Sequence, residues 1–383
     1  MKKLRILFLT ILLVLLMAAA ACAEGTMALL AINVRKADCL LLQYEDVLYM
    51  IDTGSVESWG SVSATLTELG ITHLDGVILT HTDDDHAGGL MALASSSVAV
   101  DAWYASRYYA DVKTSKHPAR LAAALRDQEV TWLRAGDVLP FGSGSLRVLG
   151  PISNSETENC NSLVLLAEGG GGSMLLTGDM EFAEETDLLN AGSIVHCTVL
   201  KVANHGEKDA TSEQLVNTVR PQMAVISTNS EDEPDTPANR VLKALKKVGA
   251  QVALTESSEA GVLVTVENGT AQAAFRQWNE WPAQNTTVRL LAKDNKDQTT
   301  TLANTGTETV DVSAWYIHSE RGDEIFVFPE GSVLQAGQTV TITCTSTGWT
   351  GDYLWQDNKV WHSSKEDAGV LYDRYGRMID RLE

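Results

Sequence analysis

Six consecutive residues, His81-Thr82-Asp83-Asp84-Asp85-His86, put two imidazoles and three carboxylates directly behind the apolar run Val77-Ile78-Leu79. Such a cluster is costly to bury unless its groups are paired or bound to metal. The stretch from Val77 to Leu90 reads as a buried strand, a tight polar loop and the start of a helix. At a strand end, side chains at i, i+2 and i+4 face one cavity. His81, Asp83 and Asp85 have that spacing, and His86 follows. Acidic caps at a helix N-terminus account for the carboxylates, but not for a histidine at each end of the run. Oxygen and nitrogen donors without thiolate suit Zn²⁺ or Mn²⁺, singly or as a pair.

His-x-Asp-x-Asp-His followed by Gly88-Gly89 resembles the metal motif of the metallo-β-lactamase superfamily. Asp83 stands where most members carry a second histidine. That variant looks like the extracellular hydrolase domain of the DNA-uptake competence channels (ComEC-like) and its secreted relatives. Val47 to Ile51 reads as a strand ending in Asp52-Thr53-Gly54. This turn resembles the superfamily's first motif, which implies that Asp52 orients the metal loop.

The N-terminus has Lys2, Lys3 and Arg5, then an apolar run from Ile6 to about Ala21, then Ala21-Cys22-Ala23. That pattern is a signal peptide over residues 1–23, and it implies a secreted or cell-surface protein. An uncleaved anchor and a lipid-modified Cys22 are the alternatives. The run is short for a bilayer span, and no later segment is apolar enough to be one. Removing residues 1–23 takes away three positive charges and no negative ones, moving the net charge from −21 to about −24. A strongly negative field disfavours non-specific binding to nucleic acid or anionic lipid. It leaves open an enzyme that handles a polyanion through its metals. Cys39, Cys160, Cys197 and Cys344 are far apart and lack zinc-type spacing. Cys39, Cys197 and Cys344 sit in strand-like runs and read as buried apolar fillers.

Further along, the resemblance carries more residues. Met174-Leu175-Leu176-Thr177-Gly178-Asp179 is a buried strand delivering one carboxylate, and it matches the family's Gly-Asp motif, whose Asp bridges two metals. Asn161, in Asn161-Ser162-Leu163-Val164, occupies a place where other members carry a histidine ligand. It reads as a substrate contact or as a turn residue. Val199 to Gly206 is a strand ending in Asn204-His205-Gly206 where relatives read His-His-Gly. His205 is the candidate for the last ligand, the alternative being that the missing histidine was the ligand and His205 only contacts substrate; Asn204 reads as a substrate contact. Thr236-Pro237 stands where many relatives have His-Pro, with Thr236 expected as helix N-cap and Pro237 at the first helical position. His73 and His117 read as solvated. Gly261 to Phe275 reads as a hairpin on Asn268-Gly269.

Two runs of strands followed by helices imply an α/β fold, the αββα sandwich, over residues 24–280. Beyond about residue 283 helical periodicity ends, and short alternating strands follow at turn-rich spacing. One is expected across Val310 to Ile317. Asn304-Thr305-Gly306, Val310 to Trp315, Phe328-Pro329, Leu334 to Gln338 and Leu371 to Gly376 together resemble the lamin-tail domain. That implies an all-β, immunoglobulin-like sandwich over 286–383, with Trp315, Phe328 and Trp361 at its core.

The resemblance implies two divalent metals held by His81, Asp83, Asp85, His86, Asp179 and His205, a metal-activated water as nucleophile, and Asp85 orienting that water. Asp85 and Asp52 are the candidate catalytic residues. The expected function is a secreted phosphodiesterase or nuclease, with a small or polymeric phosphoester as substrate, DNA included. The alternatives are another metallohydrolase, acting on a lactone, lactam or choline-type phosphoester, and a non-catalytic cell-envelope binder with a degenerate site. Cell-envelope contact through the C-terminal domain is a further expectation.

Overall fold

The computed structural model describes residues 25–109, 121, 124–126, 128–155, 157–345, 348, 351–357 and 359–383. The expected signal peptide, Cys22 and His117 lie outside the described residues. Two compact units emerge. The first holds residues up to Ser58, His73–Gly89 and Ala99–Asn279; the second holds Trp59–Thr72, Leu90–Val98 and Glu280–Glu383.

The first unit is built on two sheets. One has eight strands, in the order Thr270–Arg276, Gly261–Glu267, Thr26–Ala31, Leu40–Tyr44, Val47–Ile51, Gly76–Leu79, Trp103–Ser106 and Val130–Leu133. The other has seven, in the order Gln251–Leu254, Met223–Ile226, Val199–Lys201, Gly172–Leu176, Val164–Gly169, Gly144–Gly150 and Val138–Phe141. Alternation along Thr26–Ala31 and Gly172–Leu176 sends Leu29 and Met174 into one shared core, with Leu165 and Val264. That is face-to-face packing of two sheets. The second sheet's other face is covered by the helices Phe182–Asn190, Glu213–Val219 and Asn239–Val248, through Leu188, Val216 and Leu245. Both sheets are parallel where they deliver candidate site residues: Val47–Ile51 beside Gly76–Leu79, and Gly172–Leu176 beside Val199–Lys201. The carboxyl ends of these strands are where such sheets place their ligands.

The hairpin Gly261–Arg276 turns on Asn268 (φ 49°) and Gly269 (φ 74°), as a two-residue turn with both central residues left-handed requires. The helix expected to start at Pro237 starts instead at Asn239, with Ala238 at its N-cap. Thr236 lies two residues before that N-cap, and its hydroxyl donates to Glu233 O at 3.0 Å. Ala238 N is bound to Gly206 O at 2.8 Å.

The second unit contains two four-stranded sheets, Val288–Asp294, Thr299–Asn304, Thr339–Cys344, Tyr353–Trp355 and Glu324–Val327, Tyr316–Ser319, Gly369–Tyr372, Met378–Leu382. Its core includes Trp315, Phe328, Trp355 and Trp361. The Trp361 indole donates to Thr300 Oγ1 at 3.0 Å, so its one polar atom is satisfied where it is buried. The single strand expected across Val310 to Ile317 is broken. Val310–Asp311 and Tyr316–Ser319 are separate strands, because Ala314 takes a left-handed φ of 58° that no strand accommodates. The helix Trp59–Leu69 belongs to this unit. Ser63 Oγ donates to Arg374 O at 3.0 Å, and a Cβ on Gly60 would lie 2.8 Å from Gly376 Cα.

Within the second unit, burial pushes the Glu324 carboxyl up to about 7, the hydrogen bond with Ser319 opposes this, and the Asp357 and Asp367 carboxylates add to the rise. A carboxyl raised on folding contributes stability that is complete below its unfolded value near 4.5 and lost as pH rises through about 7. Glu324→Gln is therefore expected to flatten the pH dependence of this unit's stability between those limits. It should remove a loss of about 1–2 kcal/mol, the full shift being discounted for partial exposure. Denaturant titrations at both pH values check this; an unchanged slope in the variant would refute it.

Candidate metal centre

Gly76–Leu79 is fully buried and ends at Thr80-His81. Asp52, just past the neighbouring strand, takes a left-handed φ of 59°, and its backbone N donates to Ile78 O at 2.9 Å. The Asp52 carboxylate then accepts from Thr80 N (2.7 Å), Thr80 Oγ1 (2.7 Å) and His86 Nδ1 (2.8 Å). His86 sits in the one-turn helix Asp84–Ala87, with Asp83 at its N-cap. Thr53 N donates to His86 O at 2.7 Å and Gly89 N to Gly54 O at 3.0 Å, so the Asp-Thr-Gly turn and the metal loop are stitched together. A Cβ on Gly89 would fall 2.3 Å from Thr53 O, which explains the glycine there.

The second sheet delivers two more groups. Gly178 is left-handed (φ 47°) and turns the chain after Gly172–Leu176, so that Asp179 is 3 % exposed. Asn204 and His205 are both left-handed (φ 46° and 52°), a tight turn at the end of Val199–Lys201. His205 groups there with Asp85, His86 and Asp179.

Hydrogen bonds decide which ring nitrogens face inward. His205 Nδ1 lies 3.0 Å from Ser227 O, an acceptor, so Nδ1 carries the proton. His86 Nδ1 is held by the Asp52 carboxylate in the same sense. His81 Nδ1 lies 3.1 Å from Thr80 Oγ1, whose own proton goes to Asp52, so His81 donates there too. All three Nε2 atoms point to one place, and each is buried without a hydrogen bond, as is Asp179 Oδ1. His86 Nε2 lies 3.2 Å from Asp179 Oδ1, and His205 Nε2 lies 3.5 Å from Asp179 Oδ2 and 3.4 Å from Asp85 Oδ2. His81 Nε2 is 3.7 Å from Asp83 Oδ2 and 4.0 Å from Asp179 Oδ2. Of the three groups of donor atoms among the described residues, two share Asp85: Asp85, His86, Asp179 and His205, and His81, Asp83 and Asp85; the third is Asp38, Asp52 and His86. Orphaned imidazole and carboxylate atoms facing one another fit a divalent cation, and the donor chemistry fits it as well.

The electrostatics agree. Burial would lower His86 and His205, but the surrounding carboxylates together outweigh it, Asp179 with Asp52 raising His86 well above its ordinary value and Asp179 with Asp85 and Asp38 raising His205 to about 9. Burial and the His86 charge push His81 down to about 3. Burial, with Glu158 beside it, pushes Asp83 up to about 8. Burial opposes the lowering of Asp85, but His205 and His86 hold it below the usual carboxylate range. Protons on His86 and His205 occupy places that a cation takes, so cation binding releases protons.

Two further expected residues are buried. Asn161 is 3 % exposed, and its amide accepts from Ser155 N (2.8 Å) and donates to Ser155 O (3.0 Å). Those bonds hold its own loop, the turn reading rather than a substrate contact. Asn204 is 5 % exposed and stands beside His205. Sequence reasoning missed Asp38 and Lys201, a fully buried ion pair at 2.7 Å. The available signal was a lone lysine inside the apolar run Val199 to Ala203. All four described cysteines are buried, and none of them is joined in a disulfide.

Residues 32–230 match the model of the metallo-beta-lactamase superfamily, and residues 289–383 that of the Lamin Tail Domain. ComE operon protein 3 of Bacillus subtilis is 31 % identical over 214 residues, 55 % of this chain and 26 % of that protein. Recombination protein 2 of Haemophilus influenzae is 33 % identical over 221 residues, 55 % of this chain and 25 % of that protein. The match with each thus spans about a quarter of the relative's length. Among solved structures, the metallo-beta-lactamase fold protein YhfI of Bacillus subtilis is similar at a TM-score of 0.42 and 14 % identity, over 63 % of this chain and 100 % of that one. With more than half its length matched by the family model, and a lamin tail domain following, this chain belongs to the metallo-beta-lactamase superfamily.

Proposed function

We propose that this chain is a metal-dependent phosphodiesterase acting outside the cell, with DNA as its substrate class. The observation that carries this reading is the convergence of His81, His86 and His205 Nε2 with Asp179 Oδ1, all buried and without hydrogen bonds. Two divalent ions, Zn²⁺ or Mn²⁺, would be held by His81, Asp83, Asp85, His86, Asp179 and His205. Bound there, they supply an acidified water and neutralise charge on a phosphoryl oxygen. Asp52 keeps His86 in the tautomer that presents Nε2. Asp85 orients the attacking water, and Asn204 contacts the substrate beside His205. Support for DNA comes from the names of the relatives, a competence-operon protein and a recombination protein. Secretion rests on the leader pattern of residues 1–23. No helix among the described residues is long and apolar enough to cross a membrane. The lamin tail domain would contact the cell envelope.

A second reading, a binder without turnover, is favoured by Asn204 and Thr236, which stand where relatives carry histidines. The experiment that separates the two is cleavage of single- and double-stranded DNA by the purified protein with Mn²⁺ or Zn²⁺. A chelator control and Asp85→Ala run beside it. Cleavage that needs metal and is lost in Asp85→Ala is the expected result. Metal uptake without cleavage of DNA or of simple phosphodiesters would overturn the phosphodiesterase reading. No uptake would leave the binder.

A further inference from the structure

Lys201 ends the strand Val199–Lys201 with an accessibility of 0 %. Its Nζ lies 2.7 Å from Asp38 Oδ2 and 3.2 Å from Val202 O. Asp38 is also buried, in the loop between Thr26–Ala31 and Leu40–Tyr44. The partners are 163 residues apart in sequence and come from different sheets. A buried ion pair is weak evidence for stability, because losing hydration offsets the attraction. Its use has to be sought in what it connects.

Asp38 touches the first half of the metal centre through its backbone. Asp38 N donates to Asp85 O at 3.0 Å, and Gly54 N donates to Asp38 O at 2.8 Å. Its carboxylate groups with Asp52 and His86, with donor atoms within 4.8 Å of one another. Lys201 belongs to the second half. Thr177 Oγ1, two residues before Asp179, donates to Lys201 O at 2.6 Å, and Lys201 precedes His205 by four residues. Asn204 N in turn donates to Gly178 O at 3.1 Å. The first sheet's loops carry His81, Asp83, Asp85 and His86; the second sheet's carry Asp179 and His205.

We propose that Asp38 and Lys201 are a positioning pair: the ion pair ties the two ligand-bearing halves together and sets how Asp85 and His86 stand relative to Asp179 and His205. The pair adds no net charge to the cluster. It works as a tether of fixed length, and neither residue touches substrate. This inference rests on the metal reading above.

The test uses Co²⁺ as the probe, with the full chain. Uptake is followed by titration, and ligand geometry by the visible absorption of the bound ion. Apolar or neutral replacement of both partners removes the uncompensated charge that a single change leaves. Asp38→Asn with Lys201→Met is therefore the main variant. It is expected to keep the wild-type melting temperature, to bind Co²⁺ at least about tenfold more weakly and to change the spectrum. A folded variant with wild-type stoichiometry, affinity and spectrum would overturn the proposal, as would a variant that lost stability alone. If that double variant does not fold, Asp38→Asn with Lys201→Gln carries the same test, since it is also neutral at both positions and keeps the backbone bonds to Asp85 and Gly54. Failure of the wild type to take up Co²⁺ would overturn the metal reading and this inference with it. Normal uptake by both proteins would overturn only the tether.

Discussion

Asp179→Ala is expected to strip the protein of bound metal and to lower phosphodiester hydrolysis on the order of a thousandfold, the equivalent of several kcal/mol of transition-state stabilisation. The reason is position. Asp179 lies 3.2 Å from His86 Nε2, 3.5 Å from His205 Nε2 and 4.0 Å from His81 Nε2. It is the one carboxylate in ion-pair range of all three inward-facing imidazoles in the described residues. Its own carboxyl is held well below the usual range by His86 and His205 in spite of burial, so it is ionised at neutral pH. Removing it also withdraws the first-ranked charge that keeps protons on His86 and His205. Elemental analysis of the dialysed variant, with turnover measured in excess Mn²⁺, checks both effects. A folded Asp179→Ala protein that kept its metal and its turnover would remove Asp179 from the site.

The second large effect is expected at Asp52, which faces the back of the histidines. Its carboxylate accepts from Thr80 N, Thr80 Oγ1 and His86 Nδ1, all within 2.8 Å, at 1 % exposure. In Asp52→Ala the buried Thr80 N–H loses its partner and His86 loses the bond that sets its tautomer. Metal affinity should fall about 10- to 100-fold, the usual cost of losing a partner behind a ligand. Stability should fall by about 2–4 kcal/mol, since each unsatisfied buried group costs about 1–3 kcal/mol. Competition titration against a metal-sensitive dye and denaturant unfolding measure the two separately. Wild-type metal affinity in this variant would mean that the His86 tautomer is set elsewhere.

Much of the site was legible locally. His81, Asp83, Asp85 and His86 lie within six residues, and strand-to-helix geometry brings them to one side without help from the rest of the fold. Asp179 was legible because a carboxylate follows shortly after the apolar run Met174-Leu175-Leu176, in a Gly-Asp pair that resembles the family's motif. The αββα and β-sandwich classes followed from periodicity and turn chemistry, down to the Asn268-Gly269 hairpin. Asn161 was open between substrate contact and turn, and the two bonds to Ser155 that favour the turn are tertiary facts of one loop. Thr236 has the right residue type for an N-cap, yet the helix begins further on, with Ala238 at its N-cap. The break in Val310 to Ile317 was invisible because alanine carries no sign of the left-handed backbone at Ala314.

What the sequence determined by itself was therefore the kind of chemistry and the first set of ligands, because those depend on residue type and on short spacing along one strand end. The tertiary structure alone decided that His205 stands against both Asp85 and Asp179, that three imidazoles turn their Nε2 atoms inward, and that Lys201 meets Asp38. Each of those depends on backbone conformation at one residue or on partners far away in sequence. Periodicity and propensity report how a segment meets solvent and core; they carry no information about which distant donor a buried side chain will find.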